Sequence, residues 1–343
     1  MNQNHAQEET PVSEHEVEHL VKTLPKAAYI GTKLLMYQGT WYHDGHIKNV
    51  LTFQRHFQAR DTDLIIGSLP RSGTTWLKSL LFAVVNRGQH SDGQSPLLVN
   101  HPHELVYSLE TDVYGDAFVY PRPHHLSELP SPRLLSTHLS YTSLPESIKT
   151  SNCRILYISR NPLDMLVSLY YFSMNAIKKY LTVNIWRRIM GVFYRPPSMD
   201  DFFQALYEEK YPFGPFFEHV IGYWKMSLDQ PDKVLFLKYE DMKDDPAHYV
   251  KKIADFAGVP FSAQEEADGV ITQIIEMCSI KNMKELEVNK SGVINKLFEK
   301  KTYFRKGEVG DWKGHFSASM VEKMTKLMEE KLEGTGLTFK LDS

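Results

Sequence analysis

Four short, largely apolar runs along the chain predict buried strands. They lie at residues 63–69, 134–139, 154–160 and 233–239. Apolar residues that follow one another, rather than alternating with polar ones, are typical of strands covered on both faces, as in parallel sheets. We therefore expect these runs to be strands of one buried parallel sheet.

Apolar residues recur at helical spacing in six other segments. These are residues 76–87, 163–172, 216–228, 246–256, 265–277 and 318–332. Because strands and helices alternate, the sequence predicts an α/β fold with a central parallel sheet flanked by helices. No repeat and no long Gly, Ser or Pro linker divides the chain, so a single domain is expected over residues 21–343. Residues 1–20 have little hydrophobicity and predict a flexible tail, and the lysine-rich stretch 286–301 predicts a charged loop.

Composition and charge argue against two classes of binding partner, nucleic acids and membranes. The 343 residues hold 39 Lys and Arg against 42 Asp and Glu, a net charge of −3, so no broad positive field is present to hold nucleic acid. Two cysteines are too few for a disulfide framework and indicate a reducing compartment. The acidic N-terminus does not resemble a signal peptide, and the longest apolar stretch, 80–85, is far shorter than the roughly 18 residues that span a bilayer. We expect a cytoplasmic protein with neither nucleic acid nor membrane as a partner.

The most informative segment joins the first predicted strand to the helix that follows it. Residues 68–75 read Ser-Leu-Pro-Arg-Ser-Gly-Thr-Thr, a short loop with one glycine. Such a loop presents backbone N–H groups at the positive end of a helix dipole, which favours binding of a phosphate. Ser68 and Thr74 replace the first glycine and the lysine of the Walker A pattern, which disfavours a P-loop kinase or nucleotidase acting on ATP with magnesium. An ordinary capped turn is the alternative, and the neighbouring Arg71 and Trp76 favour the anion site.

This loop is the first of four segments that resemble motifs of the cytosolic sulfotransferases. Residues 69–76, LPRSGTTW, resemble the family's P-loop-like phosphosulfate-binding loop. The other three are the strand, turn and helix at 154–172, the strand at 234–242 and the segment 303–313, which contains Arg-Lys-Gly. Together the resemblance covers roughly residues 50–332 with the motifs in the family's order.

Two further segments, 214–224 and 286–292, resemble the plant branch of that family. The resemblance implies transfer of a sulfonate group from 3′-phosphoadenosine 5′-phosphosulfate (PAPS) to a hydroxyl of a small apolar acceptor, such as a flavonoid, a steroid or a hydroxyjasmonate. PAPS is then the donor co-substrate. No metal is expected, because no histidine or cysteine pair stands at ligand spacing and arginine or lysine can supply the positive charge.

The resemblance also implies which residues hold PAPS. The backbone N–H groups of residues 72–75 would hold its 5′-phosphate, and Arg305 would reach its 3′-phosphate with paired hydrogen bonds. Trp76 and Tyr239 match positions around the adenine ring, although each taken alone is typical of an aromatic core residue. The complete donor set is Arg71, Ser72, Gly73, Thr74, Thr75, Trp76, Arg160, Ser168, Tyr239, Cys278, Arg305, Lys306 and Gly307.

Two residues are predicted to be catalytic. His138 ends the second predicted strand and matches the family's Thr-His motif. An imidazole with an ordinary pKa of about 6.5 can take the acceptor's proton as its oxygen attacks sulfur in line, whereas the alternative is a core histidine. Arg71 stands where the family has a lysine that contacts the leaving group, and a planar guanidinium is not a conservative replacement. The alternative to an active enzyme is therefore a catalytically weak binder of a nucleotide or hormone.

The acceptor side is the least determined by the sequence. Several aromatic residues and one segment are candidates for an apolar wall and lid, with plain core packing as the alternative. They are Tyr29, Tyr37, Trp41, Tyr141, Phe172 and residues 177–197. Lys313 and Glu322 match the outer residues of a dimer motif of animal relatives, but Ser317 and Ala318 replace its central pair. We therefore expect a monomer or a weak homodimer.

Overall fold

Two β-sheets organise the structure. The computed structural model describes residues 12–89, 94–115, 126–183, 196–294 and 298–341. In chain order the strands are β1 (Lys26–Tyr29), β2 (Thr32–Tyr37), β3 (Thr40–His43), β4 (Leu64–Ser68), β5 (Tyr107–Ser108), β6 (Leu134–Thr137), β7 (Arg154–Ser159) and β8 (Val234–Lys238). Strands β1 to β3 form an antiparallel sheet, and the other five form a parallel sheet in the order β5–β6–β4–β7–β8.

The parallel sheet confirms the predicted fold class. The four predicted strands coincide with β4, β6, β7 and β8, and β4 lies in the centre, where Leu64 is opposite both Leu134 and Arg154. Every residue of β4 is buried, as its unbroken apolar run predicts. Strand β5 is only two residues long, too short to show an apolar pattern in the sequence.

Helices cover both faces of this sheet. In chain order they are α1 (Glu14–Thr23), α2 (His46–His56), α3 (Thr74–Asn86), α4 (Pro102–Leu105), α5 (Glu146–Thr150), α6 (Pro162–Val183), α7 (Met199–Tyr207), α8 (Phe216–Asp229), α9 (Tyr239–Asp244), α10 (Pro246–Ala257), α11 (Ala263–Ala267), α12 (Val270–Met277), α13 (Ile280–Glu285), α14 (Glu287–Lys290) and α15 (Ala318–Leu332). Along β7, Tyr157 belongs to the apolar cluster that contains α6 and α8, whereas Leu156 and Ile158 belong to the cluster that contains α3 and α10. The sheet therefore separates two halves of the core. Within the described ranges, no helix combines the length and the apolar character that crossing a membrane requires.

Three predicted boundaries differ from the structure. The predicted helix at 265–277 is divided into α11 and α12, because Gly269 between them has a left-handed backbone with φ of +73°. Helix α6 continues to Val183, beyond the predicted end at residue 172. The predicted charged loop at 286–301 includes the short helix α14.

The sequence did not indicate the antiparallel sheet. Its two hairpin turns, at 30–31 and 38–39, have positive φ at both residues, as type I′ turns require. The turn pairs are Ile-Gly and Gln-Gly, which lack the Asn or Asp that usually marks such a turn in a sequence.

Part of the predicted flexible tail is wrong, because residues 14–20 belong to helix α1. The Ser13 hydroxyl accepts a hydrogen bond from the backbone N–H of Glu16 at 3.1 Å and so caps this helix. Glu16 also pairs with Arg55 of α2 at 2.5 Å, and Glu14 forms an ion pair with Lys48 of α2. These contacts are tertiary, which explains why the local pattern did not reveal them.

Candidate active site

The loop between β4 and α3 has a backbone that only a few residue types accept. Gly73 has φ of +110°, and a Cβ on it would lie 2.8 Å from side-chain atoms of both Ile158 and Tyr239, so glycine is required there. Arg71, at the top of the loop, also has a positive φ, +70°, which is uncommon for a residue with a side chain. Helix α3 begins directly afterwards at Thr74. The loop therefore delivers backbone N–H groups to a helix N-terminus, as predicted for a phosphate site.

One cavity of about 350 Å³ lies at the carboxyl edge of the parallel sheet, next to this loop. The predicted site residues that line it are Arg71, Gly73, Thr74, Thr75, Trp76, His138, Arg160, Ser168, Tyr239, Cys278, Arg305, Lys306 and Gly307. Ser72 is the predicted residue that is not part of the lining; it is buried in the loop itself. Segments far apart in the sequence thus meet at a single site.

Within the described ranges, Arg71 forms no ion pair with an acidic residue. Its Nε donates to the Ser168 hydroxyl at 3.1 Å, and its guanidinium lies 4.4 Å from the centre of the Phe172 ring. Among the described residues its polar partner is thus a hydroxyl rather than a carboxylate. Burial lowers the pKa of Arg71 to about 10, helped by the nearby Arg305 and Arg160, so the side chain is still protonated at neutral pH.

Three buried polar atoms at the site fit an anionic ligand. Within the described part of the chain, the Ser72 hydroxyl and the Nε atoms of Arg160 and Arg305 have no hydrogen-bond partner. Arg305 and Lys306 share one carboxylate, that of Asp311, at 2.7 and 2.5 Å. Because buried donors without partners are costly, this surplus of donors and positive charge suits the phosphate groups of a nucleotide.

Trp76 and Tyr239 lie side by side at the same end of the cavity. Their ring centres are 5.3 Å apart, and the Tyr239 hydroxyl donates to the backbone oxygen of Gly307 at 2.9 Å. Gly307 has φ of +68°, and a Cβ there would lie 1.9 Å from Ile280. Cys278 also lines the cavity and is buried. The two rings meet edge to face, with 68° between their planes, so this end of the cavity is aromatic and tightly packed, which suits the ring of a base.

His138 directly follows β6 and is held in one orientation. Its Nδ1 lies 2.7 Å from the backbone oxygen of Ser68. Since a carbonyl oxygen can only accept, Nδ1 carries the hydrogen and Nε2 keeps its lone pair. Burial lowers the pKa of His138 to about 4, so the ordinary value of about 6.5 assumed from the sequence is wrong for this residue. The ring is neutral at pH 7, the state in which it can accept a proton.

Two residues that the sequence did not single out fix the backbone of His138. Glu110 accepts from the N–H of His138 at 2.6 Å, and burial raises the pKa of this carboxyl to about 7. His219 donates from Nε2 to the backbone oxygen of His138 at 3.0 Å, while its Nδ1 accepts from the Tyr157 hydroxyl at 2.9 Å. His219 lies in the segment 214–224 that resembles the plant branch, which is the one available sequence signal.

A second network lies behind the glycine loop. Lys78 is fully buried in α3 and donates to the oxygen of Val106 at 2.8 Å and to His103 Nδ1 at 3.1 Å. His103 Nε2 then donates to the Thr75 hydroxyl at 3.1 Å. Burial lowers the pKa of Lys78 to about 8. In the sequence nothing distinguishes Lys78 from a helical lysine that faces solvent.

The acceptor-side predictions are only partly reproduced. Tyr29 and Phe172 line the cavity, whereas Tyr37, Trp41 and Tyr141 do not. Trp41 instead exchanges backbone hydrogen bonds with residues 213–214, at 2.7 and 2.8 Å. Most of the predicted lid, residues 184–195 of the segment 177–197, lies outside the described residues.

A row of rings forms this wall, and three of its members, His43, His46 and Phe213, were not singled out from the sequence. Its members in order are Tyr29, His43, His46, Phe213 and His138. Neighbouring ring centres are 6.0, 6.0, 5.8 and 5.4 Å apart, and all five residues line the cavity. Phe213 has a positive φ of +68°, which is strained for an aromatic residue. We call this set the ring row.

A parallel sheet with a glycine loop after its central strand and cationic residues at its carboxyl edge defines an α/β protein of the P-loop type. A family model described as "Sulfotransferase domain" matches residues 61–336. Cytosolic sulfotransferase 8 of Arabidopsis thaliana is 41% identical over 94% of this chain and 92% of its own length. The chain belongs to the sulfotransferase family of enzymes.

Further relatives agree in sequence and in fold. The flavonol 3-sulfotransferase of Flaveria bidentis is 41% identical, over 94% of this chain and all of its own length. The crystal structure of a putative steroid sulphotransferase of Arabidopsis thaliana matches with a TM-score of 0.71 and 33% identity, covering 96% of this chain and 99% of that one. A mouse sulfotransferase crystallised with PAP (adenosine 3′,5′-bisphosphate) matches with a TM-score of 0.63 and 25% identity, covering 88% of this chain and 94% of that one.

Proposed function

We propose that this enzyme transfers a sulfonate group from PAPS to a hydroxyl of a small acceptor. The observation that carries the proposal is the single cavity in which cationic residues and a glycine loop lie beside a neutral histidine. Similarity to a mouse enzyme crystallised with PAP, the desulfonated donor, supports the choice of nucleotide. Similarity to a flavonol 3-sulfotransferase supports a hydroxylated acceptor.

The donor is assigned to the cationic end of the cavity. The loop N–H groups of residues 72–75 would hold the 5′-phosphate, together with Arg71. Arg160, Ser168 and the segment 305–307 would hold the 3′-phosphate, and the unpaired Nε atoms of Arg160 and Arg305 support this assignment. Trp76 and Tyr239 would contact the adenine.

His138 is assigned as the general base. As the acceptor oxygen forms its bond to sulfur, the bond from sulfur to the phosphate oxygen breaks, and the acceptor's proton passes to His138 Nε2. The hydrogen bond from Nδ1 to Ser68 orients the ring and keeps Nε2 available. Arg71 would stabilise the charge that develops on the departing phosphate, in place of the family's lysine. No metal enters this scheme.

The acceptor end favours a small, largely apolar molecule, because aromatic residues of the ring row form its wall. Flavonoids, steroids and hydroxyjasmonates fit that description. We further propose that the enzyme works in the cytosol, as the names of curated relatives indicate for them. A monomer or weak homodimer stays our prediction for its assembly.

Calorimetry with adenosine 3′,5′-bisphosphate (PAP), followed by transfer of labelled sulfonate from PAPS to a panel of phenols, flavonols, steroids and hydroxylated oxylipins, tests the proposal. We expect micromolar or tighter binding of PAP and transfer to at least one class of acceptor. Failure to bind PAP at high micromolar concentration would contradict the donor assignment.

A catalytically weak nucleotide or hormone binder is the second candidate, and one contact favours it. The Arg71 guanidinium is held against Phe172 and Ser168, so it has less freedom to follow the leaving group than a lysine would have. Arg71→Lys decides between the two. A clear gain in kcat indicates that the arginine limits turnover, and a loss indicates a site adapted to arginine.

A further inference from the structure

The acceptor end of the cavity contains two histidines to which no role has been assigned. His43 is the last residue of β3 and His46 is the first residue of α2. Both line the cavity, and the Phe213 ring lies between His46 and the base His138. His46 thus stands one aromatic ring beyond the atom that takes the proton.

The ring nitrogens of both histidines lack a hydrogen-bond partner among the described residues. Across the described part of the chain, the side chains of His43 and His46 contact other rings and form no hydrogen bond or ion pair. The other cavity-lining histidines behave differently, since His138 and His103 both form hydrogen bonds within the protein. A polar side chain that lines a cavity without a partner is free to bind a ligand.

The charge of His43 and His46 determines which functional group of an acceptor can bind to them. Burial lowers the pKa of His46 to about 4 and also lowers that of His43, so both rings are neutral at pH 7. A neutral imidazole has one N–H donor and one acceptor nitrogen, which match a hydroxyl or a carbonyl. The lysine and arginine residues that line the cavity all belong to the donor set: Arg71, Arg160, Arg305 and Lys306. Among the described residues, a carboxylate would therefore find no lysine or arginine at the histidine end.

We propose that His46, supported by His43, determines acceptor specificity by forming a hydrogen bond to a second, uncharged polar group of the acceptor. That group, a hydroxyl or a carbonyl, lies at the opposite end of the molecule from the hydroxyl that is sulfonated. The preferred acceptor is then a rigid, flat molecule with oxygen functions at both ends, rather than a simple phenol. This inference rests on the proposed function, because it takes His138 as the position of the reacting hydroxyl.

The test compares two acceptors that differ only in the second oxygen: 2-naphthol and naphthalene-2,6-diol. The two hydroxyls of the diol are equivalent, so either one can face His138. This gives the diol a two-fold statistical advantage over 2-naphthol in binding. Dissociation constants are measured by calorimetry on the complex with PAP, where no turnover occurs. We expect the wild type to bind the diol about 5- to 20-fold more tightly, a statistical factor combined with one net hydrogen bond.

His46→Phe keeps an aromatic ring and removes both polar atoms, so the preference for the diol over 2-naphthol should fall to about two-fold while affinity for PAP is unchanged. His46→Gln restores a donor and an acceptor and should recover part of the preference. His56→Phe is the matched control, since His56 ends the same helix and does not line the cavity. This control should behave as the wild type.

A wild-type preference no greater than the statistical two-fold overturns the inference by itself, even if His46→Phe does not fold. An undiminished preference in a folded His46→Phe also overturns it. Both results leave the proposed function standing as long as sulfonate is transferred to 2-naphthol. If PAP binds and no transfer occurs, the proposed function fails instead, and the binding preference still reports on His46.

Discussion

The two ends of the cavity are built by different means. The donor end lies on the parallel sheet, where the glycine loop and charged side chains follow the ends of successive strands. The acceptor end depends on the antiparallel sheet, helix α2 and residues 212–213, and its lining includes the neutral histidines His43 and His46. The donor end therefore favours negatively charged groups. The acceptor end discriminates by shape and by individual hydrogen bonds. Sequence motifs thus specify the donor end, and tertiary contacts specify the acceptor end.

The largest effect is expected where the two ends meet. His138→Ala should lower kcat by roughly 10²- to 10⁴-fold, because it removes the general base. Affinity for PAP should change by less than about two-fold, since His138 lies outside the predicted donor set. Transfer of labelled sulfonate and calorimetry measure the two quantities, with His56→Ala as the control. Retained turnover in His138→Ala would mean that another residue acts as the base, and His138 would then no longer mark the boundary between the two ends.

Changing a donor-end cation should weaken the nucleotide alone. Arg160→Ala removes a buried guanidinium with an unpaired Nε, and we expect PAP affinity to fall by about 10- to 100-fold. Lys306→Ala is a comparison within the same predicted donor set: this side chain is half-exposed and already paired with Asp311, so its loss should lower PAP affinity by less than about three-fold. Acceptor affinity in the complex with PAP should not change for either variant. A similar loss in both variants would mean that only overall charge matters at this end.

The acceptor end should make the fold sensitive to acid. Burial lowers the pKa of His46 to about 4, so between that value and about 6.5 the unfolded chain binds a proton that the folded chain does not. The stability due to this group is complete above pH 6.5 and is lost as the pH falls toward 4. From pH 7 to pH 5, His46→Phe should therefore lose less free energy of unfolding than the wild type, by at most about 2 kcal/mol.

Urea unfolding at both pH values measures this difference. Comparing the variant with the wild type cancels titrating groups that do not interact with His46, such as Glu110, whose raised pKa of about 7 acts in the opposite direction. His43 and His138 do interact with His46, so part of the difference arises through them. Equal losses in the two proteins would contradict a neutral, buried His46.

The smallest effect is expected from the ion pair that joins helix α1 to helix α2, the helix that carries His46. Glu16→Gln breaks the ion pair that joins α1 to Arg55 of α2, an exposed contact. The melting temperature should change by less than about 3 °C, and the acceptor KM should be unchanged. A larger change in either would show that α1 controls the position of His46. Thermal scanning and acceptor titration on the same preparation check both values.

The fold and the gathering of the cationic residues and the glycine loop at one cavity could be predicted because their signals are local. An apolar run, a glycine loop and a helical repeat each lie within about twenty residues, as in the unit that leads from Leu64 to Asn86. The acceptor end has no such signal. Its hairpins lack the usual turn residues, and His46 resembles any polar residue at the start of a helix until the fold brings Phe213 beside it. The pKa of His138 was likewise inaccessible, since it depends on burial by residues distant in sequence.

The attachment of the antiparallel sheet has a consequence for how such enzymes diversify. Trp41 joins it to residues 213–214 through backbone hydrogen bonds, which are indifferent to side-chain identity. The cavity-lining side chains of His43 and His46 can therefore be exchanged over generations without disturbing the glycine loop or the cations at the donor end. A lineage can in this way keep one donor chemistry while its gene copies acquire new acceptors, one wall residue at a time.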